Sequence, residues 1–246
     1  MTAAVIAARG GSIRIPRKNL KLFCGLPLMA WSIIQAKASQ SLDWVYLTTD
    51  DDEIAEVGEA YGAEIIRRPD WPDADTASGG RPLKHALTVA PEIDVMVQMF
   101  PTMPCRYPND IDRMVAMREK RGIERLTPFT ARREAYLYNK ISDGWLRRAW
   151  TLRDPQYHDH ACGMCAVTRE AMLTDTVIAS SKSDTELWAE NYGMVMPPEA
   201  FIDFELFQTT DCDTLEEWEW AELVMEHYLL KGKGRAIYDN YARSTT

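Results

Sequence analysis

The chain is short of what marks a secreted, membrane-spanning or nucleic-acid-binding protein. No stretch of its 246 residues approaches the ~20 apolar residues that cross a bilayer. The N-terminus has neither the charged start nor the apolar run of a signal peptide, so a cytoplasmic protein is expected. Five cysteines, Cys24, Cys105, Cys162, Cys165 and Cys212, form an odd, scattered set that makes no disulfide framework and fits a reducing compartment. Positive charge is in deficit. The 28 basic against 37 acidic side chains give a formal net charge of −9, which argues against nucleic acid or membrane as partners and leaves small molecules. Two common nucleotide signatures are also missing: no glycine stands directly before Lys-Ser or Lys-Thr as in a Walker A loop, and no three spaced glycines open a helix.

What is present is 46% apolar content, enough for a full core, in apolar runs that alternate with helical patterns. Strands are predicted at 3–7, 44–48, 64–66, 95–99 and 123–129. Helices are predicted after Asp50-Asp51-Asp52 up to a cap at Gly62, over 82–90, and over 109–121 with Gly122 closing. This rhythm predicts an α/β fold with a mostly parallel central sheet flanked by helices, as a single domain over 1–246. From residue 131 the rhythm gives way to an Arg- and aromatic-rich stretch, and 131–165 is expected to protrude. Residues 215–230 place Trp218, Leu223, Met225, Tyr228 and Leu229 among five glutamates, an amphipathic helix expected to pack on the domain.

Two segments point to chemistry. After the first strand, Gly10-Gly11 lets the backbone turn tightly and present its N–H groups, Ser12 adds a hydroxyl, and Arg9, Arg14, Arg17, Lys18 and Lys21 reverse the overall charge locally. That combination suits a polyphosphate; an ordinary basic surface loop is the plain alternative. Near the other end, Asp211 and Asp213 stand at i and i+2, where an extended backbone points both carboxylates the same way and suits Mg²⁺. Simple capping of the following helix explains the pair equally well.

The stretches Arg9-Gly10-Gly11-Ser12, Pro16-Arg17-Lys18-Asn19-Leu20, Gly25-x-Pro27-Leu28 leading to Trp31, and Asp211-Cys212-Asp213-Thr214 together resemble the sugar-acid cytidylyltransferases, the CMP-sialic acid synthetase family and its relatives. The resemblance implies a Rossmann-like nucleotidyltransferase that moves CMP from CTP to sialic acid or a related nonulosonic acid, releases pyrophosphate, depends on Mg²⁺ (Mn²⁺ in its place), and forms a homodimer through the protruding segment. It implies that Arg9, Gly10, Gly11, Ser12, Lys18 and Asn19 bind the triphosphate and that Arg68, Thr76, Ala77 and Ser78 meet the cytosine. Asp211 and Asp213 would be the metal ligands, with Lys18, Arg9 and Asp211 catalytic. The acceptor would meet Phe100, Thr102, Tyr136 and His160.

The acceptor region departs from that family's pattern. Phe100 stands where Gln is usual and Met103 where Ser is usual, so an amide that could bond the sugar is replaced by an apolar ring. His160 aligns with a carboxylate-holding Arg and Cys162 with an Asn, and an imidazole grips a carboxylate only while protonated. His158, His160, Cys162 and Cys165 also spell a two-His, two-Cys zinc set; pocket-lining histidines are the competing reading. Other readings stay open: a different acceptor such as another sugar or a phosphonate, a different nucleotide, or a regulatory module that binds without turnover.

Overall fold

The computed structural model describes residues 1–69, 71, 79–107, 109–132, 136–140, 146–151, 157–160, 163–174, 201–232, 234–236 and 238. In chain order the elements are β1 (Thr2–Ala7), β2 (Leu22–Phe23), β3 (Leu26–Pro27), α1 (Leu28–Ala38), β4 (Trp44–Thr49), α2 (Asp52–Ala60), β5 (Glu64–Arg67), α3 (Gly80–Val89) and β6 (Val95–Met99). There follow α4 (Asn109–Arg121), β7 (Arg125–Arg132), β8 (Tyr136–Lys140), β9 (Leu146–Thr151), β10 (Tyr157–His160), β11 (Met164–Thr168), α5 (Arg169–Thr174), β12 (Phe201–Asp203) and α6 (Leu215–Val224).

Strand β1 explains the architecture. Its residues are small and apolar on both faces: Ala4 and Ile6 pack with Ile33, Leu47 and Ile111, while Ala3 and Val5 pack with Leu83, Leu87 and Met96. A strand covered on both sides belongs in the middle of a sheet with helices above and below. It pairs in parallel with β4 and with β6, and β5 extends the β4 side in parallel. The full order is β5-β4-β1-β6-β11-β7-β10, with β12 parallel to β7; β11 runs antiparallel to β6 and β7. The expected α/β fold with a mostly parallel sheet is what the chain adopts.

Local signals hold where they are strong. The Asp51 carboxylate accepts the Ile54 N–H at 3.0 Å and caps α2, whose first turn holds Asp52 and Glu53 against the positive end of the helix dipole. Gly62, at φ 84°, closes that helix in the left-handed conformation that a side chain would oppose. Helix α1 is buried nearly all round, which is why it shows no polar face, and Trp31 Nε1 donates to the Phe23 carbonyl at 2.8 Å to tie it to the β2–β3 hairpin.

Other expectations need correction. Strand β7 starts at Arg125 and runs to Arg132, two residues beyond the predicted start, because α4 ends at Arg121 as expected but the turn after it takes up Gly122 to Glu124. In the C-terminal helix, Trp218, Met225 and Leu229 are buried but Leu223 is 63% exposed and Tyr228 41%: Trp218, Ala221 and Met225 follow the i, i+3, i+7 spacing of one helix face, and Leu223, at i+5, falls on the other. Within 131–165, β8 and β9 form a two-stranded sheet of their own, whereas β10 joins the main sheet against β7.

Candidate functional site

The chain builds the sheet outward from β1 through β4 to β5, then returns to place β6 on the other side. Such a switch point opens a crevice at the carboxyl ends of the strands. A cleft of about 280 Å³ lies there. The loop after β1 gives it Arg9, Gly11, Ser12, Lys18 and Asn19; the segment after β5 gives Arg68 and Trp71; the start of α3 gives Arg81; and the end of β6 gives Phe100 and Thr102.

The five cations of the first loop do not act as one patch. Arg17 turns to α2, where its guanidinium pairs with Asp51 and lies 2.5 Å from Glu53 Oε2, holding the Asp51 carboxyl below the usual carboxylate range. Lys21 lies over the Trp218 ring at 5.3 Å. Arg14 pairs with Asp213. Arg9 and Lys18 are the two that line the cleft, and Asn19 Nδ2 donates to the Arg9 carbonyl at 3.0 Å to fix the loop. Gly10 must be glycine, since a Cβ there would collide with the Asp51 carboxylate. Its N–H is not turned to the cleft as expected: it donates to Asp50 Oδ1 at 2.9 Å, and Asp50 in turn meets Arg68 at 3.4 Å.

The two aspartates of the distal motif reach the same place. Thr214 caps α6 in a reciprocal box, its hydroxyl accepting the Glu217 N–H at 3.2 Å while Glu217 Oε2 accepts the N–H groups of Asp213 at 3.0 Å and Thr214 at 2.8 Å. With the backbone so held, Asp213 Oδ1 lies 2.6 Å from Lys18 Nζ. Burial works against ionisation of Asp213, yet Lys18 and Arg14 hold its carboxyl below the usual range. Asp211 behaves oppositely. Burial, then the neighbouring Asp213 charge, push its carboxyl up, although the Cys212 N–H and the Thr102 hydroxyl donate to it.

Of the residues expected at the site, Arg9, Gly11, Ser12, Lys18, Asn19, Arg68, Phe100 and Thr102 are brought together on the cleft, with Asp213 joined through Lys18 and Asp211 through Thr102. Tyr136 is on β8 and His160 on β10 opposite Phe129. Thr76, Ala77, Ser78 and Cys162 lie outside the described residues, as do the side chains of Tyr136, His158 and His160. Cys165 is buried on β11, its Sγ 3.5 Å from Thr127 Oγ1, in the layer behind the sheet. Among the described residues no three His, Cys, Asp or Glu side chains are grouped to hold a metal. Asp211 and Asp213 alone fit Mg²⁺, which takes one or two carboxylates and completes its shell with water and phosphate oxygens. A cation there would relieve the repulsion that raises Asp211.

Sequence reasoning missed Trp71 and Arg81; Arg106 stands in the Phe100-Pro101-Thr102-Met103-Pro104-x-Arg106 stretch that resembles the family's strand end, but its structural part was not legible there. Arg106 is fully buried and donates to the carbonyls of Phe100 at 2.7 Å and Met103 at 2.8 Å and 3.1 Å, so it shapes the loop that presents Thr102 rather than meeting a ligand. The Pro101-to-Pro104 turn explains the need for it: carbonyls with few local N–H partners need a donor from elsewhere.

Residues 3–141 match the family model described as Cytidylyltransferase. N-acylneuraminate cytidylyltransferase of Oncorhynchus mykiss is 32% identical over 142 residues, which are 58% of this chain and 33% of that protein. Pseudaminic acid cytidylyltransferase of Campylobacter jejuni is 39% identical over 105 residues, 42% of this chain and 44% of that one. The chain thus spans less than half the length of either relative. A solved CMP:2-keto-3-deoxy-manno-octonic acid synthetase complexed with CTP superimposes with a TM-score of 0.67 at 20% identity, over 91% of this chain and 98% of that one, a likeness of fold. With the matched region spanning more than half its length and including the glycine loop and the switch-point strands, this chain belongs to the cytidylyltransferase family.

Proposed function

We propose that the protein transfers CMP from CTP to an acidic sugar, sialic acid or a related nonulosonic acid, and releases pyrophosphate. The observation that supports this best is Lys18. It lines the cleft and reaches the distal motif at 2.6 Å, joining a polyphosphate loop to a pair of carboxylates. Membership of the family and the names of its relatives point the same way.

In this reading the triphosphate lies along Arg9 to Ser12, with Lys18 and Arg9 facing the charge that grows on the phosphoryl oxygens and departing pyrophosphate. Asn19 holds the Arg9 carbonyl and so the loop's shape. Arg68 faces the base, together with Thr76, Ala77 and Ser78. The acceptor, beside Phe100, Thr102, Tyr136 and His160, sends its hydroxyl in line at the α-phosphorus: the new O–P bond forms as the α–β bridge breaks. Asp211 and Asp213 would hold Mg²⁺, which supplies positive charge to the phosphates. Asp211 takes the hydroxyl proton to the extent that coordination leaves it basic. A homodimer contact through β8 and β9, and a cytoplasmic setting, belong to the same proposal.

Phe100 on the cleft wall favours a second reading, in which the acceptor is another sugar or a phosphonate. Pyrophosphate release on mixing with each nucleoside triphosphate and a panel of sugar acids and phosphonates separates the two. Release with CTP and a nonulosonic acid is expected. CTP binding without release for any acceptor would identify a regulatory module, and release only with another nucleotide would overturn the cytidylyl assignment.

A further inference from the structure

Trp71 stands on the cleft wall within reach of two guanidiniums from different elements. The guanidinium carbon of Arg81, in the first turn of α3, lies 4.4 Å from the indole centroid, and that of Arg68, just past β5, lies 5.4 Å from it. His85, one turn along α3, meets the same ring edge-on at 5.8 Å. Arg68 continues the connection inward, since its side chain is only 5% exposed and pairs with Asp50, whose other oxygen accepts the Gly10 N–H. The indole therefore ends a continuous path that begins at the backbone of the glycine loop.

Two guanidiniums so close repel each other, and each long side chain loses rotamer freedom when a ligand fixes it. The electron-rich ring face attracts both and so offsets the repulsion, and it holds them in place before a ligand arrives. We propose that Trp71 is a positioning residue for the nucleotide, acting through Arg68 and Arg81 to shape the cationic wall that faces a nucleoside triphosphate. This rests on the CTP reading above.

The test compares Trp71→Phe, Trp71→Leu and Trp71→Ala in the full chain, each checked for native circular dichroism. Titration calorimetry with CTP gives affinity, and side-chain NMR of Arg81 reads the ring current of the indole directly. Leu and Ala should weaken CTP binding about tenfold, a loss of the size expected for desolvated cation–π contacts, and raise KM for CTP while kcat changes far less. Phe, which keeps a ring, should retain most of the affinity. The Arg81 δ-protons should be shifted upfield in wild type and Phe and return to ordinary positions in Leu. A Leu variant that binds CTP as tightly as the Phe variant, or unshifted Arg81 protons in the wild type, overturns the inference alone. Wild-type protein that binds no CTP overturns the proposed function and this role with it.

Discussion

Lys18 Nζ and Asp213 Oδ1 are 2.6 Å apart although 195 residues separate them in sequence. The cation expected to hold phosphate and the carboxylate expected to hold metal thus neutralise each other, with Arg14 as a second partner of Asp213. In the proposed reading, phosphate oxygens would take the place of Asp213 on Lys18, and Asp213 would then be able to hold Mg²⁺.

Replacing Lys18 by Ala should cut turnover by at least ~100-fold, the scale on which a fixed charge at a developing phosphoryl charge acts. The fold should survive, since Lys18 belongs to none of the apolar clusters and its carboxylate partner keeps Arg14. Saturating kcat and circular dichroism check both parts. A folded variant with the wild-type rate would remove the glycine loop from the chemistry.

Chelation should abolish activity, and Mg²⁺ or Mn²⁺ should restore it. Asp213→Asn keeps the size of the side chain but removes a full charge, so it should raise the metal concentration needed for half-maximal rate. Titrating metal into EDTA-treated wild type and variant measures this. Full activity in EDTA would remove any metal role from Asp211 and Asp213.

The loop that lines the cleft after β1 was legible in the sequence because its signals are local. Ala3 to Ala7 reads as a strand covered on both faces, and Gly10-Gly11 shortly after it marks the turn that opens onto the cleft. What the sequence hid depends on contacts across the fold. Nothing near Arg14 announces its pairing with Asp213, and nothing near Gly10 shows that Asp50 takes its N–H. Nothing near Trp71 in the sequence marks it, because the two guanidiniums that meet its ring come from separate elements. Leu223 was misplaced because apolar character alone put it on the core face, whereas its place five residues after Trp218 turns it outward.

Arg106→Met should destabilise the protein by about 3 kcal/mol, because it leaves the buried carbonyls of Phe100 and Met103 without their guanidinium donor. Apolar volume is nearly conserved, so the loss reports polar contacts rather than a cavity. Urea unfolding of wild type and variant measures it. A loss under about 1 kcal/mol would mean that water replaces the guanidinium at little cost.

Asp110 should make stability depend on pH in a direction opposite to an ordinary salt bridge. Its carboxylate is buried at the start of α4 and accepts from the Tyr107 N–H at 2.9 Å, Arg113 Nη1 at 2.9 Å and Gln208 Nε2 at 2.6 Å, the last on the turn that leads into Asp211. Burial outweighs these donors and pushes the carboxyl above its ordinary value. The folded protein then holds this proton more tightly than the unfolded chain, whose Asp titrates near ~3.9. The resulting stability is fully present below that unfolded value and is lost as pH rises through the folded one. Asp110→Asn cannot titrate, so the stability of wild type relative to this variant should be greatest near pH 4 and shrink towards pH 7. Urea unfolding of both proteins at four pH values across that range gives the difference, in which all other titrating groups cancel. A difference that widens as pH rises would mean that the three donors dominate and that the carboxylate is held ionised.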